Sequence, residues 1–374
     1  MPSAYKSNPI INVVLAFASP ILFFLIIEGG TRLFWKEILI GKHCYQKDPL
    51  LNYRNKPNCE YEFKITERDT PVKHQFNECG FRADNACLTR NPDTVRIVGI
   101  GDSFTLGAST EYSKTYLKVA ESELKSKLSS GIEVINGGVS GWGIVDYSIW
   151  LDEILLKHDP QVVTIGLLPN DIFDLTEREV KRMDRSIGKE SLGLAPDKVL
   201  WWRIKKQLEK SMFVNFVAHL FLSNDTFYSI VYRARAKTED SYLKKTYSEV
   251  WRKKIQLTEQ ILSSMVKRAN DKSAKLVVIL IPQRAQAMLV SHPDTSPLLD
   301  IKKFPEEIKI IGRKLSISVI DFLTVLETHA KPTSLYYPLD GHLTPVGQVI
   351  LGRFVSKELS QNPLWLSLAK NTTD

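Results

Sequence analysis

Four short groups of residues in this 374-residue chain are of types that could carry out acyl chemistry. Gly101-Asp102-Ser103 follows directly on the apolar run TVRIVGIG at 94–101, with Gly107 just beyond. A strand-to-helix turn of this kind can expose a serine hydroxyl and leave its backbone N–H free near the helix start. By itself the tripeptide reads as an ordinary turn or N-cap. Asn136-Gly137-Gly138 and Asn170-Asp171 follow two further apolar runs, so three loops could meet at one end of a sheet. There the Ser103 N–H, the Gly138 N–H and the Asn170 amide would serve as donors to a developing oxyanion, each worth about 3 kcal/mol. Asp171 reads as a brace for its own loop. The fourth group, Asp340-Gly341-His342, lies between Tyr336-Tyr337-Pro338 and Thr344-Pro345. A serine nucleophile needs a base, and the base needs a carboxylate to fix its tautomer. Residues two apart on a regular strand point to opposite faces, so this pair requires irregular backbone, which glycine and proline favour. Alone, Asp340 and His342 read as a surface turn. Taken together, the four groups point to nucleophilic acyl transfer by Ser103, with His342 as base and Asp340 as the acid that orients it.

Other chemistries are poorly served. No phosphate-binding G-x-x-x-x-G-K-[ST] occurs, and no Gly-x-Gly-x-x-Gly follows the first strand. His74, His158, His219, His292 and His329 stand apart, whereas a metal centre needs two or three imidazoles at ligand spacing. Neither cofactor nor metal is therefore expected. The formal charge of +8 is modest for this length, and zinc-finger spacing, arginine tracts and basic heptads are missing. Nucleic acid is not an expected partner.

The elements that must position these residues alternate. Strand signals at 94–101, 132–135, 162–167, 275–281 and 319–320 are separated by helix signals at 116–128, 145–156 and 241–269, with a closing helix at 347–359. This rhythm predicts an α/β fold with a mostly parallel sheet covered by helices. In such sheets ligands bind at the carboxyl edge of the strands. The stretch 175–237 interrupts the rhythm. It is charged at first, then carries Leu200, Trp201, Ile204, Leu208 and Met212 at helical spacing. An amphipathic helix there would pack on the domain, or serve as a lid or a membrane-contacting face.

The N-terminus carries a second kind of signal. From Ser7 to Ile27 no residue is charged, which predicts a transmembrane helix over about 10–28. A cleaved signal peptide and a buried soluble helix are the alternatives. Arg32, Lys36, Lys42 and Lys47 after the apolar run would hold the body in the cytoplasm. The cysteines argue the other way. Cys44, Cys59, Cys79 and Cys87 all fall in one short preface, which suggests two disulfides with three pairings open, against four reduced thiols. The expectation is a single-pass inner (plasma) membrane protein with a periplasmic or extracellular body, touching membrane lipid through its N-terminal helix.

GDSFTLG at 101–107, INGGVSGWG at 135–143, GLLPNDIFD at 166–174 and LDGHLTPVG at 339–347 resemble, in order, the blocks of the SGNH, or GDSL-like, hydrolase superfamily. FNECGFRAD at 76–84 resembles a preface of bacterial members with an N-terminal membrane helix. The Asp-Gly-His spacing departs from the more usual Asp-x-x-His and looks like the variant in membrane-associated members and in relatives that acetylate exported polysaccharides. The resemblance implies a three-layer α/β/α, flavodoxin-like domain, ester chemistry without cofactor and an exported body. It also implies Ser103 as nucleophile, Gly138 and Asn170 in the oxyanion hole, and Asp340 with His342 as acid and base. The expected organisation is an N-terminal segment at 1–30, a cysteine-containing preface at 31–93, a hydrolase-like domain at 94–362 with a helical insertion at about 175–237, and a tail at 363–374. The expected function is a serine esterase or deacetylase acting on an acylated glycan or lipid of the cell envelope. An O-acyltransferase using the same residues is the alternative, and a non-catalytic envelope scaffold a third.

Overall fold

The structure, a computed structural model, describes residues 9–34, 44–65, 67–83, 87, 93–127, 131–173, 175–176, 180, 183, 211–238, 241–293 and 297–362. In the first helix, α1 (Pro9–Phe34), side chains are described from Ala18 onward. Among the described residues no helix is long and apolar enough to cross a membrane. The expected transmembrane helix, the single-pass membrane location and the lipid contact through that helix are corrected accordingly. Glu28 instead faces the body of the protein. Its carboxylate accepts from Ser211 Oγ at 2.7 Å and from the N–H groups of Met212 and Phe213 at 3.0 Å, capping a helix there.

The preface folds as two antiparallel hairpins, β1 (Tyr45–Asp48) with β2 (Asn52–Asn55) and β3 (Glu60–Phe63) with β4 (Val72–Gln75). Disulfides join Cys44 to Cys59 and Cys79 to Cys87, which selects one of the three pairings and excludes reduced thiols. These strands have four residues each and polar sequences such as YQKD and NYRN, too short for alternation to register in sequence.

The central sheet contains β5 (Thr94–Ile100), β6 (Gly131–Asn136), β7 (Val162–Leu167), β8 (Lys275–Leu280) and β9 (Ser318–Asp321) in the order β6-β5-β7-β8-β9. Every pairing is parallel. Continuous apolar runs such as VVTIGL suit strands buried on both faces. On β5, Val98 and Ile100 join one core, and Val95 and Ile97 join the other, as the two-residue period of a strand requires. Between the strands run α2 (Ser103–Leu106), α3 (Tyr116–Lys127) and α4 (Ile144–Lys157), then α5 (Met212–Leu222), α6 (Asp225–Thr238), α7 (Glu249–Asp271), α8 (Arg284–Ser291) and α9 (Lys303–Leu315); α10 (Leu323–Thr328) and α11 (Pro345–Gln361) follow β9. Trp150 and Ile154 of α4, Ile261 and Met265 of α7 and Ile308 of α9 fill the first core. Leu117 and Leu124 of α3, Leu326 of α10 and Leu351 and Val355 of α11 fill the second. Helices on both faces of a parallel sheet give the expected α/β layering.

One helix boundary differs from the sequence reading. α7 begins at Glu249 rather than near 241, because Ser248 caps it by accepting from the Trp251 N–H at 3.1 Å. The residues before it form turns, with an isolated bridge from Lys244 to Leu299. In the insertion, the expected helix on Leu200, Trp201, Ile204 and Leu208 lies outside the described residues. Met212 alone of that set is described, buried at the start of α5. Buried Arg96 ties the preface to the sheet. It pairs with Glu133 at 2.6 Å and donates to the carbonyls of Cys87 and His158 at 3.0 Å.

Candidate active site

With β5 as the first strand, the chain passes to β6 on one side and then returns to β7 on the other. The crevice between β5 and β7, at their carboxyl ends, is the topological switch point where open sheets of this kind bind ligands. Ser103 leaves β5 and Asn170 leaves β7 at this edge.

Local sequence explains how Ser103 is presented. At Gly101 a Cβ would stand 2.0 Å from Thr105 Oγ1, so only glycine allows the chain to fold this closely over the following helix. Asp102 caps that helix by accepting from the Phe104 N–H at 2.8 Å. Gly107, at φ 71°, ends the helix after a single turn in the left-handed region that glycine favours. Buried Gln348 of α11 donates to the Phe104 carbonyl at 3.0 Å and accepts from the Tyr116 N–H at 2.8 Å, fixing α2 against α3 and α11.

The Ser103 hydroxyl lies 2.7 Å from His342 Nε2, and His342 Nδ1 lies 2.7 Å from Asp340 Oδ2. Ser109 Oγ donates to the same Asp340 oxygen at 3.1 Å, and the Phe104 ring packs 4.7 Å from the imidazole. The i, i+2 pair reaches this geometry because Gly341 adopts φ 80°, turning Asp340 and His342 to one side. The turn is closed by Gly341 N–H donating to the Tyr337 carbonyl at 3.0 Å and Tyr337 N–H donating to the His342 carbonyl at 2.9 Å.

The electrostatics follow from these contacts. Burial disfavours the imidazolium, but the hydrogen bond and charge of Asp340, joined by Asp102 and Glu67, outweigh it and hold His342 above the usual histidine range. Burial likewise opposes the Asp340 carboxylate, yet the His342 bond and charge hold it below the ordinary range. Deeper in the site, burial pushes Asp102 up. Burial and the charge of Asp102 push Asp171 well above a normal carboxyl. Asp171 accepts from the Leu168 N–H at 2.7 Å, which is the loop-bracing contact expected of it.

Asn170 Nδ2 points toward Asp102 Oδ2 at 3.5 Å, and its Oδ1 accepts from Gln283 Nε2 at 2.8 Å. Gln283, just beyond β8, thus fixes which end of the Asn170 amide faces Asp102. Sequence reasoning passed it over. The signal was its place after Pro282 at the carboxyl end of a parallel strand. Gly138 is held differently from the others. Its N–H donates to Asn136 Oδ1 at 3.0 Å and its carbonyl accepts from Asn55 Nδ2 at 3.0 Å. In this arrangement its N–H is engaged within the loop rather than presented beside Ser103. Gly141, a further glycine of that loop, is exposed and at φ 78°, and no hydrogen bond from its N–H occurs among the described residues.

The profile of the GDSL-like Lipase/Acylhydrolase family matches residues 100–350. No curated protein matches the chain. Among solved structures, TesA is 15% identical at a TM-score of 0.41, covering 72% of this chain and 99% of its own. The psychrotrophic esterase EstA from Pseudoalteromonas sp., in a structure inhibited by monoethylphosphonate, is 12% identical at a TM-score of 0.40, covering 73% and 98%. The acetyl xylan esterase AlAXEase is 14% identical at 0.39, covering 71% and 98%. At these TM-scores the likenesses carry no argument about substrate. The membrane-anchored subtype suggested by the preface is not carried over, since among the described residues no helix is long and apolar enough to cross a membrane. The family match takes in about two thirds of the chain and all four groups described above, and the protein belongs to the GDSL-like lipase/acylhydrolase family, as a hydrolase of ester bonds.

Proposed function

We propose that this protein is a serine esterase in which Ser103 is the nucleophile, His342 the general base and Asp340 the acid that orients it. The observation supporting this reading is the continuous relay from Ser103 Oγ through both imidazole nitrogens to Asp340, with 2.7 Å at each link. Asp340 accepts the Nδ1 proton, so Nε2 is the free base facing the hydroxyl. His342 takes the Ser103 proton as Oγ bonds to the ester carbonyl carbon. The tetrahedral oxyanion is met by the Ser103 N–H and the Asn170 amide. Gly138 can join them only if its N–H is released from Asn136. The imidazolium then protonates the departing alkoxide, and water attacks the acyl-enzyme with His342 again as base. The substrate class we assign is an acyl ester of a glycan or lipid.

Labelling with a serine-reactive phosphonate, mapped by mass spectrometry, tests the nucleophile. Label at Ser103 that disappears in Ser103→Ala and weakens in His342→Ala is the expected result, with ester turnover falling about 10⁴-fold or more in either variant. Wild-type turnover by Ser103→Ala would overturn the assignment. A panel of acetylated oligosaccharides and short- and long-chain lipid esters then separates the two substrate types.

A further inference from the structure

We propose that the disulfide-linked preface belongs to the catalytic apparatus, with Glu67 and Arg68 as positioning residues for the Asp340–His342 loop. This inference rests on the reading of Ser103 and His342 given above. Both residues lie in the β3–β4 connection, some 270 positions from the loop they hold. The Glu67 carboxylate accepts the backbone N–H of Leu339 and, at 3.2 and 3.3 Å, that of Asp340. Arg68 Nη1 donates to the Tyr337 hydroxyl at 3.2 Å and to the Ser109 carbonyl at 3.0 Å, while its Nη2 pairs with Glu111. Ser109 in turn donates its hydroxyl to Asp340. Two consecutive side chains therefore hold the acid loop on both flanks. Arg284 completes the grip, donating to the Pro338 carbonyl at 2.6 Å.

The same preface holds the nucleophile segment. Buried Arg82 donates to the carbonyls of Leu106, Gly107 and Thr110 at 2.8 Å, and His74 Nε2 lies 2.8 Å from the Ala108 carbonyl. The segment after Ser103 and the loop before His342 come from opposite ends of the domain, and the preface binds both. Such a brace matters because a loss of about 1 Å in alignment can cost 10²-fold in rate. Glu67 adds a charge. Burial pushes its carboxyl above the usual range, against the Leu339 and Asp340 N–H bonds; when ionised it interacts with Asp340, His219, Arg284 and His342 and favours the imidazolium.

The test compares the full chain with Glu67→Ala and Glu67→Gln, measuring kcat and KM on a short acyl ester from pH 5 to 9 and thermal unfolding of each. Glu67→Ala is expected to lower kcat about tenfold at nearly unchanged KM, equivalent to about 1.4 kcal/mol in the barrier. Glu67→Gln keeps an acceptor oxygen, so it restores most of kcat while the acid limb of the pH profile moves to lower pH. A Glu67→Ala variant with wild-type kcat and pH profile overturns the proposal. So does an equal loss in both variants that tracks a fall in Tm, the mark of a merely structural role. Should the wild type neither cleave esters nor label at Ser103, the reading of the site itself fails, and the positioning role falls with it.

Discussion

Asp340→Asn removes one charge from the relay while keeping its size. In the wild type the carboxylate accepts the Nδ1 proton of His342 at 2.7 Å and is supported by Ser109 at 3.1 Å. The asparagine amide either offers N–H to Nδ1, placing the imidazole proton on Nε2 against Ser103, or keeps its oxygen there without the charge. In both cases the imidazolium formed during attack loses its counter-ion. Removing one partner of a buried pair costs about 3–5 kcal/mol. The His342 and Asp340 side chains are 23% and 16% exposed, so solvent screening favours the lower end. At 1.36 kcal/mol per tenfold, kcat/KM on a short acyl ester should fall about 10²- to 10³-fold. The pH profile has a definite sign. Asp340 raises the His342 pKa against the opposition of burial, so wild-type activity rises with pH through a value above the ordinary imidazole range near 6.5. Without that charge the limb moves to lower pH even as the plateau drops. Profiles of kcat/KM from pH 5 to 9 for both proteins give both quantities. A variant whose plateau stays within threefold of wild type, or whose limb does not move, refutes Asp340 as the orienting acid.

Further substitutions probe the supports. Gln283→Leu frees the Asn170 oxygen it now holds at 2.8 Å, and should lower kcat about fivefold, near the ~1 kcal/mol of an ordinary hydrogen bond, with Tm scarcely changed. Steady-state kinetics beside a melting curve decides it, and an unaltered kcat removes Gln283 from the site. Gly101→Ala drives a Cβ to within 2.0 Å of Thr105 Oγ1 and should destabilise the fold by about 1–3 kcal/mol in denaturant titration; an unshifted midpoint argues against the close approach. Glu28→Ala removes the cap on α5 and should cost about 1 kcal/mol at pH 7. Burial opposes the Glu28 carboxylate, but the Phe213 N–H, Ser211, Met212 and Arg32 together hold its pKa down at about 2. A carboxyl depressed on folding contributes its full stability above its unfolded pKa of about 4.3 and loses it as pH falls toward 2. The gap between wild type and Glu28→Ala should therefore narrow between pH 5 and 2, and a constant gap would count against the cap.

The strands β5 to β9 were readable because parallel strands buried on both faces must be apolar along their whole length. The relay residues were readable because each follows such a run or sits in a turn rich in glycine and proline. What escaped notice has a common cause. The preface strands are too short and polar to show a period. Glu67, Arg68 and Gln283 reach their partners only across long sequence separations, so no spacing near Asp340 or Asn170 announces them. The engagement of Gly138 by Asn136 is a matter of side-chain rotation within one loop, which the motif does not encode. The N-terminal expectation rested on hydropathy alone. Hydropathy does not register that Glu28 caps α5.

The sequence by itself determined the chemistry of the parts: a serine at a strand-to-helix turn, an imidazole two residues from a carboxylate, and an alternation of elements that requires a covered parallel sheet. Residue type and local periodicity are enough for that, since they act over a few positions of the chain. The tertiary structure decided which of those parts meet. It selected the disulfide pairing, turned Asp340 and His342 to one side through Gly341, aimed the Asn170 amide with Gln283, and brought the preface across the acid loop. Those outcomes depend on contacts between residues up to 270 positions apart, and only the packed fold fixes their distances.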